Sequence, residues 1–406
     1  MIRYIVSVLV CFGMWIDAGA AGNERDAEAP AIVASLLSCT PGPEVYALYG
    51  HTAIRLRYTA DGGGDYVFNY GMFNQRDKYF AWNFTLGRTD YKLGVVPYEA
   101  FAYEYHMRGL GVTEQVLNLT PQEVERLAGF LMRNALPENC VYRYNYFYKN
   151  CTTMSRDAIE SIVDGRVVYD EGSPLPYGTT EPMTFRKLVH IYTAGNPWIE
   201  FGQDLLLGSE ADAAIDMRLS MFAPLFMMKY AAEATIVDNG TTRPLVSAEM
   251  QIIPTRYTPA TAGWFTPTVA ACALFLIYIM VWLCEWRTGR RYWAADALLL
   301  GTQGAVGVVV AFMFFFSTHP TVGSNVLVAI LNPLPLIYLP REIFMVIKRR
   351  RDAYHAVAGA VILLFSAASL FFLQYISPAM WILVLTLLCH SIIRYRYAAK
   401  GIKQDL

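Results

Sequence analysis

The pattern of apolar and polar positions divides this chain into two unlike parts. From residue 264 onward it runs in five long apolar stretches, at 264–286, 294–316, 322–340, 355–376 and 378–393. Each stretch is close to the length of about 20 residues with which a helix crosses the hydrocarbon core of a bilayer. Residues 264–406 are therefore predicted to form a domain of five transmembrane helices.

The preceding part alternates between short strand and helix patterns. Residues 51–58 alternate apolar and polar side chains as a half-buried strand does, and a glycine-rich turn at 61–65 leads to a returning strand over 66–70. A capping-box pattern at 120–123 begins a helix that extends to about residue 135. The tyrosine-rich run 141–148 predicts another strand.

A further helix is predicted over 153–163, where Met154, Ala158 and Ile162 fall on one face and Asp164-Gly165 ends the segment. Together these patterns predict an α+β domain ahead of the apolar part.

The first twenty residues have the pattern of a signal peptide. Arg3 is followed by an apolar run over 5–16 that is short for a span, and then by the small residues of Ala18-Gly-Ala20. We therefore expect 1–20 to be a signal peptide and 21–263 to be exported, with an uncleaved anchor as the alternative.

Charge is distributed unevenly behind a formal net value of −1. Residues 264–406 hold 12 Lys and Arg against 5 Asp and Glu, or +7, whereas residues 1–263 hold 21 against 29, or −8. The basic residues follow the first, third and fifth apolar stretches, and the connections at 317–323 and 377–378 have none. The positive-inside rule then makes the basic side and the C-terminus cytoplasmic, as expected for a multi-pass protein of the bacterial inner membrane. Because the polar half is acidic, binding of nucleic acid is not expected.

Polar residues interrupt the second and third spans. His319 lies at the outer end of the second, and Asn325 and Asn332 lie in the third, beside Pro333, Pro335 and Pro340, which we expect to break its helix. Two interpretations stay open at this point. One is an outward-facing cavity that admits a lipid or lipid-linked substrate, and the other is a re-entrant turn held by asparagine hydrogen bonds.

The sequence gives no indication of a metal or another cofactor. No CxxC, HExxH or zinc-ligand spacing occurs in it. His355 and His390 lie toward the inner ends of their spans, where we expect interfacial residues rather than ligands. We therefore expect neither metal nor cofactor.

Cys151 is the candidate nucleophile of the exported part. It falls at the first turn of a predicted helix, where backbone N–H groups and the helix dipole favour a thiolate or an oxyanion. Of the three histidines there, His51 begins a strand after a glycine, whereas His106 and His190 have the setting of core or surface residues. On residue types alone, a buried cysteine with a structural histidine is the favoured interpretation.

Three cysteines lie in the exported part, so one must remain unpaired in an oxidising compartment. A Cys39–Cys140 disulfide is the pairing that leaves Cys151 free, and a disulfide to Cys151 is the alternative.

Three runs of sequence resemble a known family. They are 39–55 with its Gly-His-Thr, 65–71 with Phe-Asn-Tyr-Gly, and 142–153 with Asn-Cys-Thr-Thr; the segment from Ser317 to Asn332 adds to the likeness. They resemble the Bacteroides-type lipoprotein N-acyltransferases. The resemblance implies an α+β permuted papain-like (NlpC-type) exported domain, with histidine preceding cysteine, followed by an all-α bundle of five transmembrane helices.

The resemblance also implies a catalytic set of Cys151, His51 and a polar residue that orients the imidazole. For that third member we choose Asn69, which shares a strand face with Asp65. Further residues are expected to contribute to substrate or oxyanion binding; they are Asn150, Thr152, His319, Asn325 and Asn332.

The activity implied is cysteine-dependent acyl transfer. A phospholipid would donate an acyl chain to Cys151 as a thioester, and the α-amine of a diacylated lipoprotein's N-terminal cysteine would accept it. The alternatives are a membrane-anchored cysteine hydrolase or amidase of the cell envelope and a non-catalytic lipoprotein-binding membrane factor. The Met-rich segment 217–230 is expected to be domain core, with an acyl groove as the alternative.

Overall fold

The computed structural model describes residues 32–401 apart from 60–61, 75–76, 171–175, 177–178, 180–181, 260, 349, 351 and 372–373, with side chains up to residue 396. The predicted signal peptide lies outside the described residues. Residues 32–253 form a sheet-rich unit, here called the sheet domain, and residues 267–401 form a helical unit, here called the helical domain.

An antiparallel sheet of seven strands organises the sheet domain, in the order β10-β5-β1-β2-β3-β4-β6. Three short strands, in the order β7-β8-β9, form a second sheet. The strands are β1 (Ile32–Cys39), β2 (His51–Tyr58), β3 (Asp65–Met72), β4 (Asp90–Pro97), β5 (Val112–Leu117), β6 (Val141–Arg143), β7 (Arg166–Val168), β8 (Thr235–Asp238), β9 (Thr241–Pro244) and β10 (Val246–Ile253).

Helices cover the two faces of the large sheet and create two separate cores. They are α1 (Phe80–Thr85), α2 (Tyr98–Arg108), α3 (Pro121–Asn134), α4 (Cys151–Glu160), α5 (Phe185–Thr193), α6 (Pro197–Leu206), α7 (Met217–Ser220) and α8 (Pro224–Glu233). Ile54 and Phe68 face the larger core, which α3, α4 and α8 share, whereas Ala53 and Val67 face a smaller core against α2. The Met-rich segment contributes buried side chains to the larger core, as expected.

The tyrosine-rich run is only partly a strand, contrary to the prediction over 141–148. Strand β6 ends at Arg143, and Asn145 then bridges to Lys149. The Asn145 side chain accepts hydrogen bonds from the N–H groups of Phe147 and Tyr148, each at 3.1 Å. This Asx turn competes successfully with strand extension and directs the chain into α4.

Five helices of the helical domain are long and apolar enough to cross a membrane, as predicted. The candidate spans are Pro267–Thr288, Trp293–Phe316, Val326–Ile347, Tyr354–Phe371 and Pro378–Arg396. The corresponding α-helices are α9 (Pro267–Thr288), α10 (Trp293–Phe316), α11 (Leu334–Ile347), α12 (Tyr354–Ala368) and α13 (Pro378–Gly401). The sheet-rich domain followed by five apolar helices confirms that part of the predicted fold class; the permuted papain-like assignment stays a prediction.

The third span is interrupted, but not at every proline. Short 3-10 turns at Val322–Ser324 and Val326–Ala329 precede α11, which begins directly after Pro333 and continues through Pro340. Gly307 of α10 allows the interruption to pack closely, because a Cβ atom there would lie 2.3 Å from the carbonyl oxygen of Asn332.

The segment 317–325 follows the second span and contacts the sheet domain, and is here called the interdomain loop. Ser317 Oγ donates to Thr85 O at 2.7 Å, and Thr318 N donates to Leu86 O at 3.0 Å. Gly87 has φ +68°, and a Cβ atom there would lie 2.7 Å from His319 N. The turn after α1 is thus fitted directly against the outer end of the second span.

His355 and His390 are buried within the bundle, so the expectation that they are interfacial is wrong. His355 Nε2 lies 2.8 Å from Glu342 Oε2, and His390 packs 5.4 Å from the His355 ring. Their burial follows from carboxylates and an arginine that neighbouring spans bring to the same depth, which the sequence of one span does not reveal.

Candidate active site

Cys151 is the first residue of α4, directly after its cap. The Asn150 Oδ1 atom accepts hydrogen bonds from the N–H groups of Thr152 and Thr153, both at 2.9 Å. The Thr153 hydroxyl in turn accepts from Asn150 N at 2.9 Å, completing a capping box. The half-buried thiol therefore lies at the positive end of a rigidly begun helix.

His51 begins β2 after a turn that requires glycine. Gly50 has φ +79°, and a Cβ atom there would lie 2.4 Å from the carbonyl oxygen of Cys39. Cys39 is also the residue opposite His51 in the β1–β2 pairing. The imidazole is thus held at the end of two paired strands.

Asn69 of β3 contacts the His51 ring. Its Oδ1 lies 3.1 Å from His51 Nε2, and its Nδ2 donates to Val67 O at 3.3 Å. In the tautomer with a proton on Nε2, the imidazole donates to Asn69 and leaves Nδ1 unprotonated and able to accept a proton. Asp65, on the same strand face, instead accepts from Arg55 at 2.9 and 2.6 Å. The geometry therefore supports Asn69 over Asp65.

Gly71 places the backbone of β3 beside Cys151 at the end of the sheet. It lies in an irregularity of the β3–β4 pairing with φ +90°, and a Cβ atom there would lie 3.5 Å from Cys151 Cβ. Thr152 ties α4 to β2, since its hydroxyl lies 3.1 Å from that of Thr52. Gly71 is not among the site residues predicted from the sequence, although its position two residues after Asn69 was a signal.

The two reacting groups are electrostatically coupled. Burial would raise the pKa of the Cys151 thiol, but the charge and hydrogen bond of His51 and a hydrogen bond from the Thr52 N–H outweigh it and lower that pKa. Burial would lower the pKa of His51, but the Cys151 thiolate and the hydrogen bonds to Cys151 and Asn69 raise it. Both directions favour a thiolate–imidazolium pair, the reactive form of a cysteine nucleophile.

Tyrosine side chains that were not predicted as site residues lie near enough to the thiol to be affected by its charge. Burial, with the Cys151 charge adding to it, raises the pKa of Tyr91 to about 12 and also raises those of Tyr142 and Tyr144. The Tyr91 and Tyr144 rings meet edge to face at 4.0 Å. These phenols remain protonated at neutral pH, so the site is lined by neutral rings.

The Asn150 side chain, expected to contribute to substrate or oxyanion binding, is engaged by the fold in this structure. Its Nδ2 already donates to Tyr146 O at 2.9 Å and to Phe222 O at 2.8 Å. The N–H of Thr152 is likewise engaged by the cap, and its hydroxyl by Thr52. Both residues position the helix that carries the thiol.

The three polar residues expected from the helical domain have different settings. His319 lies in the interdomain loop, with Nε2 2.5 Å from Phe84 O and its ring 5.0 Å from that of Tyr146. The Tyr146 hydroxyl donates to Pro320 O at 2.7 Å, which links the loop to the turn before Cys151. Asn332 bonds within its own turn, so it is structural.

Asn325 has features of both interpretations of the third span, the turn held by asparagine hydrogen bonds and the cavity. Its amide donates to Leu205 O at 2.8 Å and accepts from Gln374 Nε2 at 2.9 Å, as a structural asparagine would. It also lies on the wall of a cavity of about 530 Å³ between the second, third and fourth spans. The remaining lining is mostly apolar; it includes Phe314, Val326, Val328, Val361, Leu364 and Phe365.

The expected Cys39–Cys140 disulfide is not formed. All six cysteines among the described residues are free. Cys39 is buried in the smaller core, and its thiol is hydrogen-bonded to Tyr105. Cys140 packs against the larger core. The sheet separates the two thiols, so this correction has a topological cause. Cys151 is nevertheless unpaired.

Two family models match this chain. Residues 22–190 match the Lnb N-terminal periplasmic domain, and residues 259–401 match the Lnb transmembrane domain. The chain belongs to the Lnb family. Membership confirms the resemblance to the Bacteroides-type lipoprotein N-acyltransferases and identifies this Lnb protein as a membrane protein with a periplasmic N-terminal domain. Curated proteins and solved structures give no match to it.

Proposed function

We propose that this Lnb protein is a lipoprotein N-acyltransferase that works through a Cys151 thioester. The observation that carries the proposal is the grouping of Cys151, His51 and Asn69 at the end of the sheet, with the thiol pKa lowered and the imidazole pKa raised. The same grouping serves other cysteine enzymes. Its attachment to five apolar helices with a mostly apolar cavity favours a lipid substrate over a soluble one.

The reaction proceeds in two steps. Cys151 Sγ attacks the carbonyl carbon of a phospholipid ester, the ester C–O bond breaks, and His51 protonates the departing alkoxide to release a lysophospholipid. The α-amine of a diacylated lipoprotein then attacks the thioester, the C–S bond breaks, and the amine proton passes through His51 to restore the thiol. Asn69 holds the imidazole so that one nitrogen serves both proton transfers.

The proposal includes an orientation in the bacterial inner membrane. Basic residues cluster after the first, third and fifth spans, whereas the interdomain loop contacts the periplasmic sheet domain. The C-terminus is therefore cytoplasmic. Fusion of a reporter that is active only in the cytoplasm to residue 406 should give signal, and a signal only from a periplasmic reporter would reverse the orientation.

The decisive experiment compares Cys151→Ala with Cys140→Ala in cells without another N-acylating enzyme. Mass spectrometry of lipoprotein N-terminal peptides should show three acyl chains with wild type and Cys140→Ala, and two with Cys151→Ala. The wild-type protein should also yield an acyl thioester on the Cys151 peptide. Persistent N-acylation in Cys151→Ala would refute the proposal, and cleaved peptides in place of acylated ones would identify a hydrolase.

A further inference from the structure

A group of ionisable side chains is buried at the end of the helical domain remote from the sheet domain. All five spans contribute to it, and its members are Glu285, Asp296, Glu342, His355, His390 and Arg394. Asp296 precedes Phe316 by twenty residues of α10, or about 30 Å of helix. The proposed acyl transfer does not use this group, and charges at such depth need partners.

Arg394 forms hydrogen bonds with two carboxylates of the group. Its guanidinium donates to Glu285 Oε2 at 2.7 Å and to Glu285 Oε1 at 3.0 Å, and it donates twice to Asp296 Oδ1, at 2.9 and 2.6 Å. His355 Nε2 lies 2.8 Å from Glu342 Oε2. One carboxylate oxygen of Asp296 and one of Glu342 are left over.

Three residues grouped beside these pairs each have an unpartnered polar atom. Within the part of the chain that the structure describes, Asp296 Oδ2, Glu342 Oε1 and His390 Nε2 make no hydrogen bond. Each of the three residues is only 1% exposed, and one donor atom from each lies within 4.8 Å of the others. His390 Nε2 is 3.2 Å from Asp296 Oδ1, yet that oxygen is already taken by Arg394. Since buried polar atoms are normally satisfied, unpartnered atoms on three residues whose ligand atoms lie this close together indicate a shared ligand.

We propose that Asp296, Glu342 and His390 bind a divalent transition-metal ion of the Zn²⁺ type. A proton can join only two of the three atoms, whereas a cation accepts all three. Imidazole nitrogen with carboxylate oxygen is a donor set that Zn²⁺ takes, while Ca²⁺ and Mg²⁺ prefer oxygen alone. The charge also agrees: Glu285 and Asp296 pair with Arg394, and Arg291 lies 3.9 Å from Glu285. Glu342 pairs with a histidine, so three carboxylates stand against two guanidinium groups and one negative charge is left for an ion to balance.

The surrounding hydrogen bonds resemble those that hold metal ligands in place in other proteins. His355 holds the second oxygen of Glu342, and Arg394 holds the second oxygen of Asp296, so both carboxylates present their free oxygens in fixed directions. The ligands come from the second, third and fifth spans. The ion therefore ties together three helices that are distant in sequence and acts on bundle stability rather than on the acyl chemistry.

The test uses the full chain purified in detergent, treated with chelator, dialysed and titrated with Zn²⁺. Elemental analysis should find about one Zn²⁺ per wild-type chain, and Zn²⁺ should raise the thermal unfolding midpoint. His390→Ala should weaken binding by about 100-fold or more, since even supporting residues of metal sites contribute 10–100-fold. Thr386→Val, a buried position one turn earlier on α13, is the matched control and should bind as wild type does.

Cobalt gives a reading that does not depend on any variant. Co²⁺ bound to wild-type protein should show visible absorption typical of nitrogen and oxygen ligands at low coordination number, and Zn²⁺ should displace it. Folded wild-type protein that takes up no more Zn²⁺ than His390→Ala, or that gives no cobalt spectrum, would overturn the proposal and leave a proton shared by the two carboxylates. Acyl transfer by Cys151 can fail or succeed independently of either result.

Discussion

Replacing Asn69 with alanine tests whether the third member of the site acts on the imidazole. Asn69 is buried, and its Oδ1 lies 3.1 Å from His51 Nε2. Its removal leaves the ring N–H without that partner, which costs about 1–3 kcal/mol. If the whole cost falls on the productive orientation of the ring, acyl transfer falls by about 5- to 150-fold. The substrate KM should change little, because Asn69 touches only the base.

The pH profile separates this role from a loss of fold. Since the hydrogen bond to Asn69 helps to raise the pKa of His51, its loss lowers that pKa and weakens the charge that lowers the pKa of Cys151. Iodoacetamide alkylation of the Cys151 peptide, followed by mass spectrometry, should therefore rise at higher pH in Asn69→Ala than in wild type.

Asn134→Ala is the matched control for this experiment. It removes an asparagine of α3 whose Nδ2 donates to the Tyr70 hydroxyl at 3.2 Å. Tyr70 follows Asn69 in β3 and points to the opposite face of the sheet, into the larger core. Its rate and alkylation profile should match those of wild type. An Asn69→Ala profile and turnover within about twofold of wild type would refute the orienting role, because the expected loss is at least about 5-fold.

Three further changes have defined outcomes. Gly71→Ala and Gly62→Ala both force alanine to a positive φ, at a cost of about 1–2 kcal/mol. Only at Gly71 does the backbone that must shift lie beside Cys151, so acyl transfer should fall at least about tenfold in Gly71→Ala alone. Tyr146→Phe removes the bond to the interdomain loop and should lower the free energy of unfolding in detergent by about 1 kcal/mol, whereas Tyr148→Phe, at an exposed position, should leave it unchanged. Burial would raise the pKa of Glu123, but two backbone N–H groups and an arginine outweigh it and lower that pKa. The stabilisation from Glu123 is therefore complete above the ordinary carboxyl pKa and is lost as pH falls through the lowered pKa. In Glu123→Gln, the free energy of unfolding should fall less steeply with acid than in wild type.

Local patterns predicted those parts of the fold whose causes lie close together in the sequence. The Thr120–Glu123 capping box, the His51 strand and five apolar spans depend on neighbouring residues, and each is present. Strand alternation also placed Asn69 on one face of the returning strand with Asp65 and opposite to Tyr70. The tyrosine run failed because one asparagine side chain, Asn145, terminates the strand by bonding to the backbone.

Local sequence patterns could not predict which side chains from distant segments lie next to each other in the fold. The disulfide proposal for Cys39 and Cys140 used only a count of cysteines, and which sheet face each thiol occupies depends on strand order. Likewise, the interfacial assignment of His390 followed from its depth in one span. The carboxylates of Asp296 and Glu342, which surround it, come from other spans.

The interdomain loop adds a consequence for the order in which the molecule is made. Synthesis delivers residues 32–253 first, so the sheet domain emerges and folds before the loop has been translated. The contacts of Ser317 with Thr85 and of Tyr146 with Pro320 can form only after the second span is in the bilayer. The turn before Cys151 therefore gains its contact with the helical domain last, when the second span has already entered the membrane.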